Sequence, residues 1–336
     1  MDPIALGGTG EAVRDIQRRL LAAGLRVDAE ELEGAFGPST EASVREFQQM
    51  RGLPTDGIVG AETWGQLVEA GYRLGDRTLY LRSPAFRGDD VRELQLILNA
   101  LGFDAGKQDG IFGRRTADAV REFQRNVAAK EDGIVGLDTV REMSRLRPTL
   151  EGPSRAIVRE EEAAREPGFE LRGSVVAIDA EDDGGAEVIA SAIAAELERR
   201  GAQLMLLRSE EPSPVTDRIR RANAGEVALL LSVGSGADEG CACFYFGTPS
   251  TYSPMGRRLA GSILSSLTSR LGFEGRGVYP RSLAILRETR MPAVLIELGR
   301  SAQPRASDPA FAASIAAAVA DGIEVFSRPA PEPLPR

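Results

Sequence analysis

Four strings in the first part of the chain stand again, in the same order, further along. VRDIQ at 13–17 returns as VRELQ at 91–95, FGPST at 36–40 as FGRRT at 112–116, VREFQ at 44–48 at 120–124, and DGIVG at 56–60 at 132–136. The offset is 78 residues for the first pair and 76 for the others, so the first copy carries two extra residues between Gly24 and Phe36. Two copies of this size are a duplicated small domain, not a solenoid, and whatever fold the first adopts the second must adopt too. Each copy reads as three helices. Val13, Ile16 and Leu20 share one helical face with Gly24 as a stop, and the second copy offers Val91, Leu94, Leu98 and Gly102. The second helix opens after Gly37-Pro38 and presents Val44 and Phe47, while DGIVG is a turn into a third helix around Trp64 and Leu67. Phe36, Phe47, Phe112 and Phe123 at these spacings read as core.

The remainder has a different texture. Pro148, Gly152 and Pro153 interrupt a connector, 148–172, whose stretch Arg155 to Arg165 alternates acids and arginines like a solvated polar helix. From Gly173 strands and helices alternate: strands at 175–178, 203–207, 227–233, 243–246 and 294–297, helices at 186–200, 215–224, 255–271 and 311–326. That order predicts a mainly parallel sheet covered by helices. The fold class expected is therefore multidomain: two small all-α three-helix modules at 1–74 and 75–147, the linker, an α/β domain at 173–328, and a Pro-rich disordered tail at 329–336.

A net charge of −9 speaks against a general nucleic-acid binder, which needs a basic face to displace counterions. The start, MDPIALGGTGEAVRD, lacks the basic region and apolar core of a secretory signal, and no apolar run reads as long enough to span a membrane, so the expected location is cytoplasmic. Cys241 and Cys243 lie two apart on a strand, too close to bridge without strain, and read as small core residues.

One stretch carries a candidate for chemistry. In PAVLIELG, 292–299, four apolar residues form a buried strand that ends at Glu297, where open α/β sheets place their sites. A carboxylate there is costly unless partnered. Acids also gather after the first strand, at Asp179, Glu181, Asp182 and Asp183. With Glu297 they are oxygen ligands of the kind calcium or magnesium takes, although at a helix start they serve equally to cap amides. Gly234, Gly236 and Gly240 read as a loop, not a dinucleotide fingerprint, because a strand follows them.

The duplicated strings resemble the peptidoglycan-binding-domain-1 family, over nearly all of residues 4–146. The resemblance implies non-catalytic modules that dock on cell-wall glycan or peptide. GVYPRSLAILRETRMPAVLIELG at 277–299, with GAQLMLLR, VALLLSV and GCACFYFG, resembles the zinc-dependent N-acetylmuramoyl-L-alanine amidases of type 3, over about 173–327. Those enzymes hold zinc between two histidines and a glutamate, and a further glutamate, matched by Glu297, acts as base. The zinc positions are degenerate. Where the family has its first histidine the chain runs Asp179-Ala180-Glu181-Asp182-Asp183, the segment of the second ligand is missing, Gly234 replaces the last histidine, and the chain has no histidine at all. No catalytic residue, metal or cofactor is expected, with Glu297 a vestige.

The combination, with YRLGDRTLY at 72–80, RGDDVRELQ at 87–95 and AIVREEE at 156–162, resembles the actinobacterial CwlM-like group of cytoplasmic pseudo-amidases. It implies a regulator of peptidoglycan precursor synthesis that binds the enolpyruvyl transferase MurA and associates with the lipid II flippase MurJ. It also implies control through a tail threonine, which this sequence lacks, offering only Ser327. Two other readings stay open: an amidase with an unorthodox site, and a plain cell-wall-binding protein.

Overall fold

The computed structural model describes residues 2–146, 169–180, 184–208, 213–236, 238–248, 251–300, 302 and 305–328. The expected polar helix of the connector, the acids Glu181, Asp182 and Asp183, and the Pro-rich tail lie outside the described residues. The chain divides into two compact units, Met1–Arg159 and Glu160–Arg336.

The first unit contains both copies. Helices α1 (Glu11–Ala22), α2 (Pro38–Arg51) and α3 (Ala61–Glu69) recur as α4 (Asp89–Ala100), α5 (Arg114–Asn126) and α6 (Leu137–Arg145). Short antiparallel bridges repeat as well, Ile4 to Val59 and Thr9 to Ala35 in the first copy, Leu79 to Val135 and Arg87 to Ile111 in the second. Phe36, Phe47, Phe112 and Phe123 are at most 1% exposed, at the centre of their cores.

The recurring glutamines explain why the strings are kept. Gln48 is buried, and its Nε2 donates to Asp56 Oδ1, the Ile58 carbonyl and Thr63 Oγ1 while its Oε1 accepts from the Gly57 N–H. Gln124 does the same with Asp132, Ile134, Thr139 and Gly133. Each glutamine thus clamps the following DGIVG turn, where Gly57 and Gly133 take φ of 76° and 71°, a backbone that side chains with a Cβ rarely adopt. A buried amide with every donor and acceptor met specifies one loop conformation, because a miss leaves an unsatisfied polar group in the core.

The copies are also tied together. Arg51, at the end of α2, lies over the Phe47 ring at 5.1 Å and donates through Nη2 to Asp89 at the start of α4 at 2.6 Å. Arg92 approaches the same carboxylate at 3.0 Å.

The second unit is a seven-stranded mixed sheet. Its strands are β1 (Val175–Ala180), β2 (Gln203–Leu206), β3 (Val227–Ser235), β4 (Cys241–Thr248), β5 (Thr251–Tyr252), β6 (Gly275–Arg281) and β7 (Ala293–Leu298), in the order β2-β1-β3-β7-β4, with β5 and β6 both pairing with β4. All pairings are parallel except β4 with β7 and with β5. Three long helices, α7 (Gly184–Arg199), α9 (Pro254–Leu271) and α11 (Pro309–Ser327), cover one face through Ile189, Ile193, Ile263, Leu267, Val319 and Ile323. Among the described residues the other face carries α8 (Val215–Ala224) and the single turn α10 (Ala284–Arg287). Cys241 and Cys243 are buried toward the three-helix face, and burial pushes the Cys241 thiol up to about 11 and Cys243 higher still.

The reading that no apolar stretch reaches spanning length is corrected at α11. Within its 19 residues an 18-residue window has a mean hydropathy of 1.5, enough by length and composition to cross a membrane. Ile315, Val319, Ile323 and Phe326 make it a helix of this core, which explains the hydropathy.

Candidate functional site

Alternation along the strands decides which side chains can meet. On β1, β3 and β7, Ala177, Leu230 and Leu295 face the lightly covered side, and so by the two-residue period do Asp179, Ser232, Gly234 and Glu297. Register then sorts them into two rows. Asp179 stands beside Ser232, and Ser232 beside Leu295. One step toward the carboxyl ends, Gly234 stands beside Glu297, and Glu297 beside Ala242 of β4. The position expected to have lost its histidine is therefore the immediate sheet neighbour of the expected base.

Neither carboxylate is available. Glu297, with a side chain 13% exposed, accepts from Arg276 Nη1 at 2.8 Å and from Arg281 Nη1 at 3.4 Å. Both arginines come from β6, on the far side of β4. Arg276 sits at a register shift opposite Cys241 and Ala242, and the small Ala242 lets its side chain cross the strand to reach Glu297. Asp238 accepts from the other end of the same guanidinium. The Arg281 guanidinium lies over the Phe244 ring, 3.6 Å from its centroid, which holds it against the sheet face. Gly236 makes room for the pair: a Cβ there would stand 2.6 Å from Glu297 Oε1.

Asp179, 4% exposed, accepts from Arg218 Nη1 on α8 and from Ser232 Oγ at 3.3 Å. Burial pushes its carboxyl above the usual aspartate range, against the pull of Arg218 and, more weakly, Arg208 and the Ser232 hydroxyl. The native state thus binds a proton at Asp179 more readily than the unfolded chain does. Its contribution to stability is greatest at low pH and is lost as pH rises from the ordinary aspartate value through the raised native one. Asp179→Asn removes that dependence. In urea unfolding across pH 3.5 to 6.5, the stability of the parent relative to the variant should fall as pH rises, and a difference that stays flat or rises would contradict the burial argument.

A zinc site does not fit these residues. Zinc needs three or four nitrogen, sulfur or carboxylate donors converging with free lone pairs. Gly234 offers no donor, Asp179 and Glu297 lie in different rows with β3 between their strands, and each accepts hydrogen bonds from arginine. Among the described residues no three histidine, cysteine or acidic side chains are grouped to hold an ion. Asp182 and Asp183 lie outside the described residues. The expected positions Asp179, Gly234 and Glu297 do share one sheet face. Arg218, Asp238, Arg276 and Arg281 were not foreseen. The signal for the two β6 arginines was GRGVYPR at 275–281, upstream of a glutamate that ends a buried strand and needs a partner.

Comparison with known proteins agrees with this architecture. The family model described as a putative peptidoglycan binding domain matches residues 9–67 and 87–143, and that of N-acetylmuramoyl-L-alanine amidase matches 178–325. N-acetylmuramoyl-L-alanine amidase CwlM of Mycobacterium tuberculosis is 35% identical over 357 residues, covering 96% of this chain and 88% of that protein. CwlL of Bacillus licheniformis is 33% identical over 153 residues, covering 40% of this chain and 42% of that protein. Among solved structures, the amidase AmiC2 of Nostoc punctiforme superposes with a TM-score of 0.40 at 22% identity, over 47% of this chain and 98% of that one. With two peptidoglycan-binding modules ahead of an amidase-type α/β domain, the chain belongs to the CwlM family of N-acetylmuramoyl-L-alanine amidase homologues.

Proposed function

We propose that this protein is a non-hydrolysing amidase homologue that acts in the cytoplasm as a regulator of peptidoglycan precursor synthesis. The observation that carries the first half is the state of Glu297. A general base must reach a water with a free lone pair, and here its carboxylate accepts from two guanidinium groups beside a glycine. The regulatory half rests on resemblance to the CwlM-like group, which implies MurA and MurJ as partners, with the helical modules taking up peptidoglycan or its precursors.

The test of the first half uses purified protein, muropeptides and added zinc. No stem peptide should be released by the parent or by Glu297→Gln. Release by the parent that Glu297→Gln abolishes would establish hydrolysis and reverse the reading. For the second half, the protein should co-purify with MurA and raise its turnover. MurA turnover unchanged at saturating protein would remove that assignment.

A further inference from the structure

The two helical copies are not equivalent, and the difference lies around the first motif glutamine. Gln17 of α1 is 1% exposed, and its Nε2 donates to the Glu31 and Ala35 carbonyls and Thr40 Oγ1 at 2.8–3.0 Å. With three acceptors around the nitrogen the amide orientation is fixed, and its Oε1 is buried with no protein donor. The corresponding oxygens of Gln48, Gln95 and Gln124 all accept from a glycine N–H, of Gly57, Gly110 and Gly133. In the first copy the two extra residues reshape the turn, and the Gly34 N–H goes to the Glu31 carbonyl. Such an orphaned acceptor is costly unless something supplies a donor.

Beside it opens a surface cavity of about 310 Å³ lined by Glu11, Arg14, Gln17, Arg18, Leu21 and Leu32. The second copy has lost both halves of this arrangement. Asn99, at the place of Leu21, is buried and ties the loop down by donating to the Gly106 carbonyl and accepting from the Ala105 N–H. Asp89, at the place of Glu11, accepts from Arg51 and from Arg92, which stands at the place of Arg14.

We propose that the first copy alone carries an open subsite for a peptide with a free carboxy terminus, a reading that rests on these modules binding peptidoglycan or its precursors. Arg14 and Arg18, whose side chains are 48% and 68% exposed, flank the cavity; Arg14 donates to the Glu33 carbonyl and the Glu11 carboxylate, whereas Arg18 uses only Nη2, toward Asp15 and Glu11, and presents its other N–H groups for a carboxylate. The amide N–H next to that carboxylate supplies the donor that Gln17 Oε1 lacks, and a small side chain rests against Leu21 and Leu32. An unsubstituted sugar offers hydroxyls but no carboxylate for Arg18.

The full chain, labelled with nitrogen-15, is titrated with N-acetyl-alanyl-alanine in its L,L and D,D forms, with the carboxy-terminal amide as control. Saturable amide shifts are expected in residues 11–21 and 31–35 and not in 89–99. The amide control and Arg18→Leu, the residue standing at Leu96 in the second copy, should each weaken binding by about tenfold, the worth of one charged hydrogen bond. Because Arg18 is exposed, the substitution leaves folding intact. No saturable shift, equal shifts in both copies, or undiminished binding by Arg18→Leu would overturn the subsite. Co-sedimentation with purified peptidoglycan separates the two claims. A parent that sediments with Arg18→Leu equal to it overturns the subsite and leaves the modules as peptidoglycan binders, whereas a parent that binds neither peptidoglycan nor dipeptide overturns both.

Discussion

Gln124→Ala is expected to destabilise the second helical copy by about 3 kcal/mol, near the upper end for truncation of a polar side chain. The side chain is 2% exposed and joins α5 to the DGIVG turn through five hydrogen bonds, to the Asp132 carboxylate and N–H, the Ile134 carbonyl, Thr139 Oγ1 and the Gly133 N–H. Truncation leaves those groups facing a small void that gives them no partner. Hydrogen exchange should show protection in 114–145 falling by about two orders of magnitude while that of the α/β domain is unchanged. Gln124→Glu keeps the acceptor for Gly133 but sets a buried carboxylate against Asp132 and the Ile134 carbonyl, so it should lose at least as much as alanine. A loss below about 1 kcal/mol for the alanine variant would mean that the turn holds its shape through Gly133 alone.

Gly322→Val should cost a similar amount, about 3 kcal/mol, by the opposite mechanism. Here the difficulty is excess volume. A Cβ at position 322 of α11 would stand 2.6 Å from the Ile263 Cα and 2.9 Å from the Ser262 carbonyl oxygen of α9, so the contact is backbone against backbone and no rotamer relieves it. The helices must separate, which loosens Leu259, Ile263, Val319 and Ile323 together. Gly322→Ala should already lose about 2 kcal/mol, and the urea midpoint of the α/β domain should fall in the order glycine, alanine, valine. A parent-like midpoint for the alanine variant would show that the two helices slide freely, contrary to their close packing.

What could be read from the sequence was what repeats locally. The 78- and 76-residue offsets fixed the two-copy plan, and apolar spacing located the long helices, α8 and α9 to within a residue. β6 escaped because Gly275, Gly277 and Pro280 punctuate it like a loop, and it is tolerated as a strand only because it lies at an edge, paired with β4 alone. With β6 went both arginines that hold Glu297. That pairing joins residues 16 and 21 positions apart through the order of strands in the sheet, which no local pattern encodes. The demand was legible, since a carboxylate ending a buried strand needs a partner. Its identity was not. The glutamines are the converse case. They stand at the end of the first and third strings of each copy in plain view, yet periodicity treats them as polar surface, and only the turn packed against them reveals that they are core.

The row formed by Gly234, Glu297, Ala242 and Arg276 also works as a ratchet on descent. A variant seeking zinc here would have to place a histidine at position 234, beside a carboxylate that two arginines already hold, where it gains no ion until further donors are added. Taking Arg276 away first strips the deeply placed Glu297 of its nearer partner and costs stability at once. Every single step is thus neutral at best, and the reward arrives only when all have been taken. Such a valley leaves the row free to drift toward uses other than holding an ion.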